Sequence, residues 1–127
     1  MNENQIAAAV VDAAFKIHTT LGPGLLESVY ESTLEYELRK RGLSVRRQIG
    51  LPVYYEGLKL ELGYRVDLIV GDKVIIEIKS IEALAPIHKR QLLTYLRLAN
   101  MRLGLLINFN VERIKDGIHR VVNDLRP

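Results

Sequence analysis

Tyr64-Arg65-Val66-Asp67-Leu68-Ile69-Val70-Gly71-Asp72-Lys73-Val74-Ile75-Ile76-Glu77-Ile78-Lys79-Ser80 is the stretch whose reading decides the fold. Two β-branched runs, Tyr64 to Val70 and Lys73 to Ser80, flank the turn dipeptide Gly71-Asp72, which is the pattern of a β-hairpin. In the second run Val74, Ile76 and Ile78 form one apolar face. Glu77 and Lys79, two residues apart, share the other. The first run carries a lone Asp67 between Val66 and Leu68. A carboxylate in such a run is an edge decoration or a site, because burying it is costly unless it is paired or metal-bound.

The hairpin register decides between these. A two-residue turn would pair Val70 with Lys73 and leave Asp67 facing away from Glu77. A three-residue loop, Gly71-Asp72-Lys73, shifts the pairing by one and sets Asp67 opposite Glu77. A site built on both acids requires the shifted register.

Outward from the hairpin, residues 4–19 place Ile6, Val10, Ala13, Ala14 and Ile17 three and four apart, as in an amphipathic helix, before the breakers Gly22, Pro23 and Gly24. A second helix is expected from about Leu26 to Arg41, stopped by Gly42. Short strands follow at Val45 to Ile49, Pro52 to Tyr55 and Leu58 to Leu62. After the central hairpin a third helix runs from Pro86 to near Asn100. Arg102 to Phe109 is a further strand, and Arg113 to Val122, turning at Asp116-Gly117, has the pattern of a closing hairpin. The order predicts an α/β or α+β fold, a sheet with helices packed on it.

The 127 residues suit one domain, 1–127. With 48% hydrophobic residues and a net charge of +3, the chain is not of disordered composition. No apolar run approaches the roughly 20 residues of a membrane span. The start, Asn2-Glu3-Asn4-Gln5, lacks the pattern of a secretory signal, so the expected setting is cytoplasmic, without membrane contact. The absence of cysteine excludes a disulfide scaffold, thiolate zinc and a cysteine nucleophile. His18, His88 and His119 are too scattered for a zinc motif; His18 and His88 are expected as structural or hydrogen-bonding neighbours of the site, and His119 on the tail hairpin. No phosphate-binding loop ends in Gly-Lys-Ser/Thr. Paired acids also serve glycosidases, but the chain has no Trp and nothing else that suggests sugar binding.

A third acid, Glu27, stands at the head of the second helix, on a stripe with Tyr30, Leu34 and Leu38, where it is also a good first-turn capping acid. On the third helix Gln91 and Tyr95 lie four apart on one face, with His88 a turn earlier. Arg39, Lys40, Arg41, Arg46 and Arg47 crowd nine positions, and Lys89 and Arg90 adjoin; these are candidate phosphate contacts or the solvated end of a helix.

Taken together, Gly24-Leu25-Leu26-Glu27-Ser28-Val29-Tyr30, then Asp67, then Glu77-Ile78-Lys79, then Gln91-Leu92-Leu93-Thr94-Tyr95 resemble the GxxExxY proteins, a branch of the PD-(D/E)XK nuclease superfamily, with the QxxxY element of RecB-like members. Val66 stands where the motif's Pro would be. The resemblance covers about His18 to Phe109. It implies a mixed central sheet flanked by helices, and Glu27, Asp67 and Glu77 with the Ile78 carbonyl as ligands of Mg²⁺, for which Mn²⁺ would substitute. Gln91 and Tyr95 would assist, and Lys79 would orient water or stabilise developing charge. The implied activity is hydrolysis of nucleic-acid phosphodiesters, DNA ahead of RNA. Mg²⁺ prefers such oxygen donors, and clustered carboxylates without a cation would repel one another. The alternative is a nuclease-like binding or adaptor module with little turnover. A homodimer would supply gripping surface that so small a chain lacks.

Overall fold

The computed structural model describes residues 1–126. Its frame is a five-stranded mixed sheet in the order β1-β4-β5-β6-β7, formed by β1 (Val45–Gly50), β4 (Arg65–Val70), β5 (Val74–Lys79), β6 (Leu103–Asn108) and β7 (Ile118–Val122). β2 (Val53–Tyr55) and β3 (Leu58–Leu60) pair only with each other, as an arm between β1 and β4. The helices are α1 (Glu3–Leu21), α2 (Glu27–Lys40) and α3 (Pro86–Ala99). All neighbours in the sheet are antiparallel except β5 and β6, which run parallel because α3 carries the chain back between them.

The sheet's two faces bury separate clusters. Leu68, Val70, Val74, Ile76, Ile78 and Leu105 pack under α1 and α2, against Val10, Ile17, Leu34 and Leu38. On the other face Ile69, Ile75 and Leu106 pack under α3, against Leu92, Tyr95 and Leu96. β5 and β6 are covered on both sides, and hence read as continuous apolar runs. Gly104 lets α3 come this close, since a Cβ there would meet Leu92 at 2.9 Å.

Local chemistry sets the element ends. Asn2 caps α1, its side chain accepting the Gln5 N–H at 2.8 Å while its own N–H donates to Gln5 Oε1. Gly42, in the left-handed region at φ 84°, ends α2. At α3 the Ala85 N–H donates to His88 Nδ1 at 2.9 Å, so this histidine is a helix cap. His18 is buried in α1 and donates from Nε2 to the Val111 carbonyl at 2.7 Å.

The tail differs from expectation. Residues 113–122 form no hairpin of their own. Ile114–Gly117 is a short 3-10 turn that returns the chain so that β7 pairs with β6, and His119 therefore lies on a sheet strand. Asp116-Gly117 is a turn signal, but the partner strand it serves begins at Leu103. Among the described residues no helix is long and apolar enough to cross a membrane.

Candidate active site

The hairpin adopts the shifted register. Val70 pairs with Val74, Ile69 with Ile75 and Leu68 with Ile76, which leaves Gly71, Asp72 and Lys73 as a three-residue loop. Gly71 and Asp72 both take left-handed φ values of 60° and 56°. At Gly71 a Cβ would also meet the Ile6 side chain at 2.6 Å, so the loop is held against α1. One step beyond Leu68–Ile76, Asp67 falls opposite Glu77. There the side chains take over from the backbone ladder. The Asp67 N–H donates to Glu77 Oε1 at 3.1 Å, and the Ile78 N–H donates to Asp67 Oδ2 at 2.7 Å.

Glu77 is 7% exposed, the sole charged side chain in the buried part of β5. Burial pushes its carboxyl up to about 8, and the negative charge of Asp67 pushes the same way. Asp67, half-buried, is likewise raised by burial, opposed by the Ile78 N–H. The Lys79 charge acts on both acids and lowers both. From α3, Tyr95 faces the pair: burial raises its hydroxyl pKa first, and Glu77, Tyr64 and Asp67 add to the effect. Gln91, a turn earlier on α3, is exposed.

The buried Glu31 is the acid of α2 coupled to this pair. It accepts from Arg47 Nε at 2.6 Å and from Gln48 Nε2 at 2.7 Å, and the same Gln48 nitrogen donates to Asp67 Oδ1 at 3.3 Å. Gln48 sits at φ 53° and interrupts the β1–β4 pairing where the register would set it opposite Asp67. Neither residue stood out in the sequence. The available signal was that Glu31 falls four residues after Glu27 and three before the buried Leu34, whereas Gln48 carries none.

Glu27 lies elsewhere. It is exposed on the first turn of α2, and its Oε2 accepts the Ser80 N–H at 3.1 Å, just past the end of β5. α2 packs on the face of Ile76 and Ile78, opposite to that of Glu77, so its first turn reaches only the strand end. The expected three-acid convergence is thus, in this structure, a pair with Glu27 beside it. Among the described residues no three His, Asp or Glu side chains gather as a metal-holding group. The motif tyrosine, Tyr30, is a brace: it stacks on Phe109 at 4.3 Å, donates to the Gly22 carbonyl at 2.6 Å and accepts the Leu25 N–H at 3.2 Å.

The expected cationic patch is internally paired. Arg39 meets Glu35, Lys40 meets Glu37, Arg41 meets Asp12 and Glu37, Arg46 meets Asp72, and Arg47 meets Glu31 and Glu35. The pairs of Arg39 with Glu35, and of Lys40 and Arg41 with Glu37, lie within α2 at spacings of three and four, whereas Asp12, Asp72 and, for Arg47, Glu31 and Glu35 are brought from elsewhere in the chain. Lys89 and Arg90 stand exposed on α3.

The donor set suits a hard divalent cation. Both are carboxylate oxygen donors: Glu77 spends Oε1 on the Asp67 N–H, while Asp67 accepts the Ile78 N–H at Oδ2 and, at the longer distance of 3.3 Å, Gln48 at Oδ1.

Comparison with known proteins agrees with the fold. A family model described as the PD-(D/E)XK nuclease superfamily matches residues 4–121. Among curated proteins no significant sequence match is found. The solved structure titled "Crystal structure of SSO0001" is similar at 24% identity and a TM-score of 0.58, over 98% of this chain and 59% of that one, a likeness of fold. This chain therefore spans well under two thirds of that protein's length. An alkaline exonuclease (LHK-Exo) from Laribacter hongkongensis aligns at 16% identity and a TM-score of 0.47, over 97% of this chain and 83% of that one.

Proposed function

The chain belongs to the PD-(D/E)XK nuclease superfamily, and on that footing we propose that it is a metal-dependent nuclease of the GxxExxY branch, hydrolysing phosphodiester bonds of nucleic acid, with DNA ahead of RNA and residues 1–127 acting as one domain. The observation that carries this reading is the convergence of Asp67 and Glu77 across the hairpin, with Lys79 beside them.

Members of the superfamily generally use divalent metal ions. In our reading Asp67, Glu77 and the Ile78 carbonyl hold the ion, Mg²⁺ or Mn²⁺, and Glu27, above Ser80, is the further carboxylate of the set. When bound, such an ion supplies Lewis acidity at the phosphate and acidifies nearby water. Lys79 contributes a fixed cation on the face where charge develops during attack. Tyr95 closes the α3 side of the site and, with Gln91 four residues earlier, offers hydrogen bonds to water or phosphate. The partly buried pair Glu31–Arg47, through Gln48, orients Asp67. Lys89 and Arg90 are the cations we assign first to substrate phosphates. Arg39, Lys40, Arg41, Arg46 and Arg47 already have carboxylate partners and are better placed to shape the fold. A homodimer would widen the contact surface of so short a chain.

The test is incubation of the purified protein with labelled single- and double-stranded DNA and RNA, in Mg²⁺, Mn²⁺ or EDTA. Cleavage that needs the ion and is lost in Glu77→Gln supports the nuclease. Binding without cleavage under every condition supports the adaptor alternative.

A further inference from the structure

We propose that the cavity between the turn after β1 and the segment entering β4 receives one unpaired nucleobase of a single-stranded substrate, stacked on the Tyr64 ring beside the carboxylate pair. The proposal rests on the nuclease reading and names the substrate form it takes.

The cavity holds about 260 Å³. Leu51, Pro52 and Tyr64 give it apolar walls, and Glu61 and Arg65 a polar rim. That is below the roughly 300–1,000 Å³ of pockets that swallow a whole drug-sized ligand, and suits one planar ring system. Glu61 does not make the rim repulsive to a nucleotide, because Lys59 pairs with it at 3.3 Å.

Its position ties it to the chemistry. Tyr64 meets Tyr95 edge to face, with centroids 6.3 Å apart, and Tyr95 is the residue of α3 that faces Glu77 and Asp67. Leu51 and Tyr95 belong to the same cluster as Ile75, on the α3 face to which strand alternation also assigns Glu77, so the cavity shares a side of the sheet with that acid. Arg65 is exposed and lies two residues before Asp67, about 7 Å along an extended strand. A nucleotide whose phosphate neighbours Arg65 thus places its base at Tyr64 and its adjoining phosphodiester at the acids.

Tyr64 is 43% exposed, although an aromatic ring of this size usually buries more. Tyr54 and Tyr55, on the β2–β3 arm just beyond, are each 65% exposed. Three of the chain's six tyrosines are therefore exposed on the arm or at its foot. Rings presented in this way are stacking platforms that tolerate any base. Bases inside a duplex have their faces already covered by neighbours, so the cavity selects single strands or frayed ends.

The experiment uses the full chain with single-stranded and duplex DNA carrying 2-aminopurine, in EDTA so that binding is read without turnover. The chain has no Trp, which leaves the probe's fluorescence uncontaminated. Wild type should quench the single-stranded probe. Tyr64→Leu, which keeps apolar volume but removes the ring, should abolish quenching and weaken single-strand affinity roughly five- to hundred-fold, the usual effect of losing one stacked base. Tyr64→Phe should restore both, and duplex affinity should be the same in all three proteins. No quenching by wild type, equal losses for single strand and duplex, or failure of Tyr64→Phe to rescue would each overturn the proposal. The nuclease reading fails separately: quenching without cleavage in Mg²⁺ or Mn²⁺ defeats it and leaves the base site standing, whereas cleavage without quenching does the reverse.

Discussion

Glu77 Oε1 accepts the backbone N–H of Asp67 at 3.1 Å, across a hairpin whose three-residue loop sets the two acids opposite each other. The contact spends one carboxylate oxygen on holding the strands together at the point where their ladder ends. It also keeps a buried acid next to a second acid, an arrangement that is stable with a proton or a cation but not with two bare charges.

The first consequence is a pH dependence. Glu77 has its folded pKa near 8, above the ordinary 4.5. The stability this group contributes is therefore full below about pH 4.5 and lost as pH rises through 8, since the folded state holds the proton that the unfolded state has released. The metal-free protein should melt at a lower temperature at pH 8 than at pH 5.5. Glu77→Gln, an isostere of the protonated acid, should remove that slope and be more stable than wild type at pH 8, by up to about 4 kcal/mol. Thermal melts in EDTA across this range are the check. A Gln variant that is several kcal/mol less stable would mean that Glu77 works as one half of a salt bridge with Lys79.

Proton release should accompany metal binding. At pH 7 a carboxyl with a pKa near 8 is mostly protonated, and an ion that takes its oxygen must displace the proton. Calorimetric titration with Mn²⁺ in buffers of different ionisation heats should show close to one proton released by wild type and none by Glu77→Gln. The same variant should lose the stabilisation that Mn²⁺ confers on wild type, about 2.7 kcal/mol at one hundred times Kd.

Lys79→Ala separates catalysis from metal binding. The side chain is half-buried and forms no ion pair among the described residues, so its loss should leave Mn²⁺ stabilisation intact. Cleavage should fall by roughly 10²–10³-fold, the scale of removing one group that stabilises developing charge. Parallel melts and cleavage rates would show it; loss of metal stabilisation would place Lys79 in the architecture instead.

The two acids of α2 should behave differently. Glu31→Gln leaves Arg47 without its 2.6 Å partner in a partly buried setting and should cost about 2–4 kcal/mol with or without metal. Glu27→Gln, on an exposed turn, should change metal-free stability by less than about 0.5 kcal/mol and weaken only Mn²⁺ binding. Chemical denaturation of both variants, with and without Mn²⁺, distinguishes them. An unaltered Mn²⁺ affinity in Glu27→Gln would remove it from the ligand set.

Salt dependence tests the cations. If Lys89 and Arg90 neutralise phosphates, replacing both with Ala should lower the log–log salt slope of DNA binding by roughly 1.4–1.8. Arg39→Ala and Arg41→Ala should leave it unchanged, because those side chains already pair with Glu35, and with Asp12 and Glu37. Titrations from low to high salt would reveal the reverse pattern if the helix-end cluster were the contact surface.

What the amino-acid order by itself determined is everything that depends on near neighbours. The three helices follow from apolar spacings of three and four, the strands from β-branched runs, and the shared face of Glu77 and Lys79 from a period of two. The resemblance to a nuclease rested on Gly24 to Tyr30, Asp67, Glu77 to Lys79 and Gln91 to Tyr95 standing in that order along those elements. Tertiary structure alone decided what depends on distant partners. The hairpin register could be posed as two alternatives but not chosen, since the choice involves Gly71 packed against Ile6, 65 positions away in the chain. Glu27 and Glu31 differ by one helical turn, and which of them is coupled to Asp67 depends on how α2 lies across the sheet. In the basic cluster the Glu35–Arg39 and Glu37–Arg41 pairs were legible from their spacing of four, whereas the pairing of Arg41 with Asp12 and of Arg47 with Glu31 and Glu35 came only with folding. Periodicity is set residue by residue, whereas ion pairing and strand register are settled only when whole elements pack.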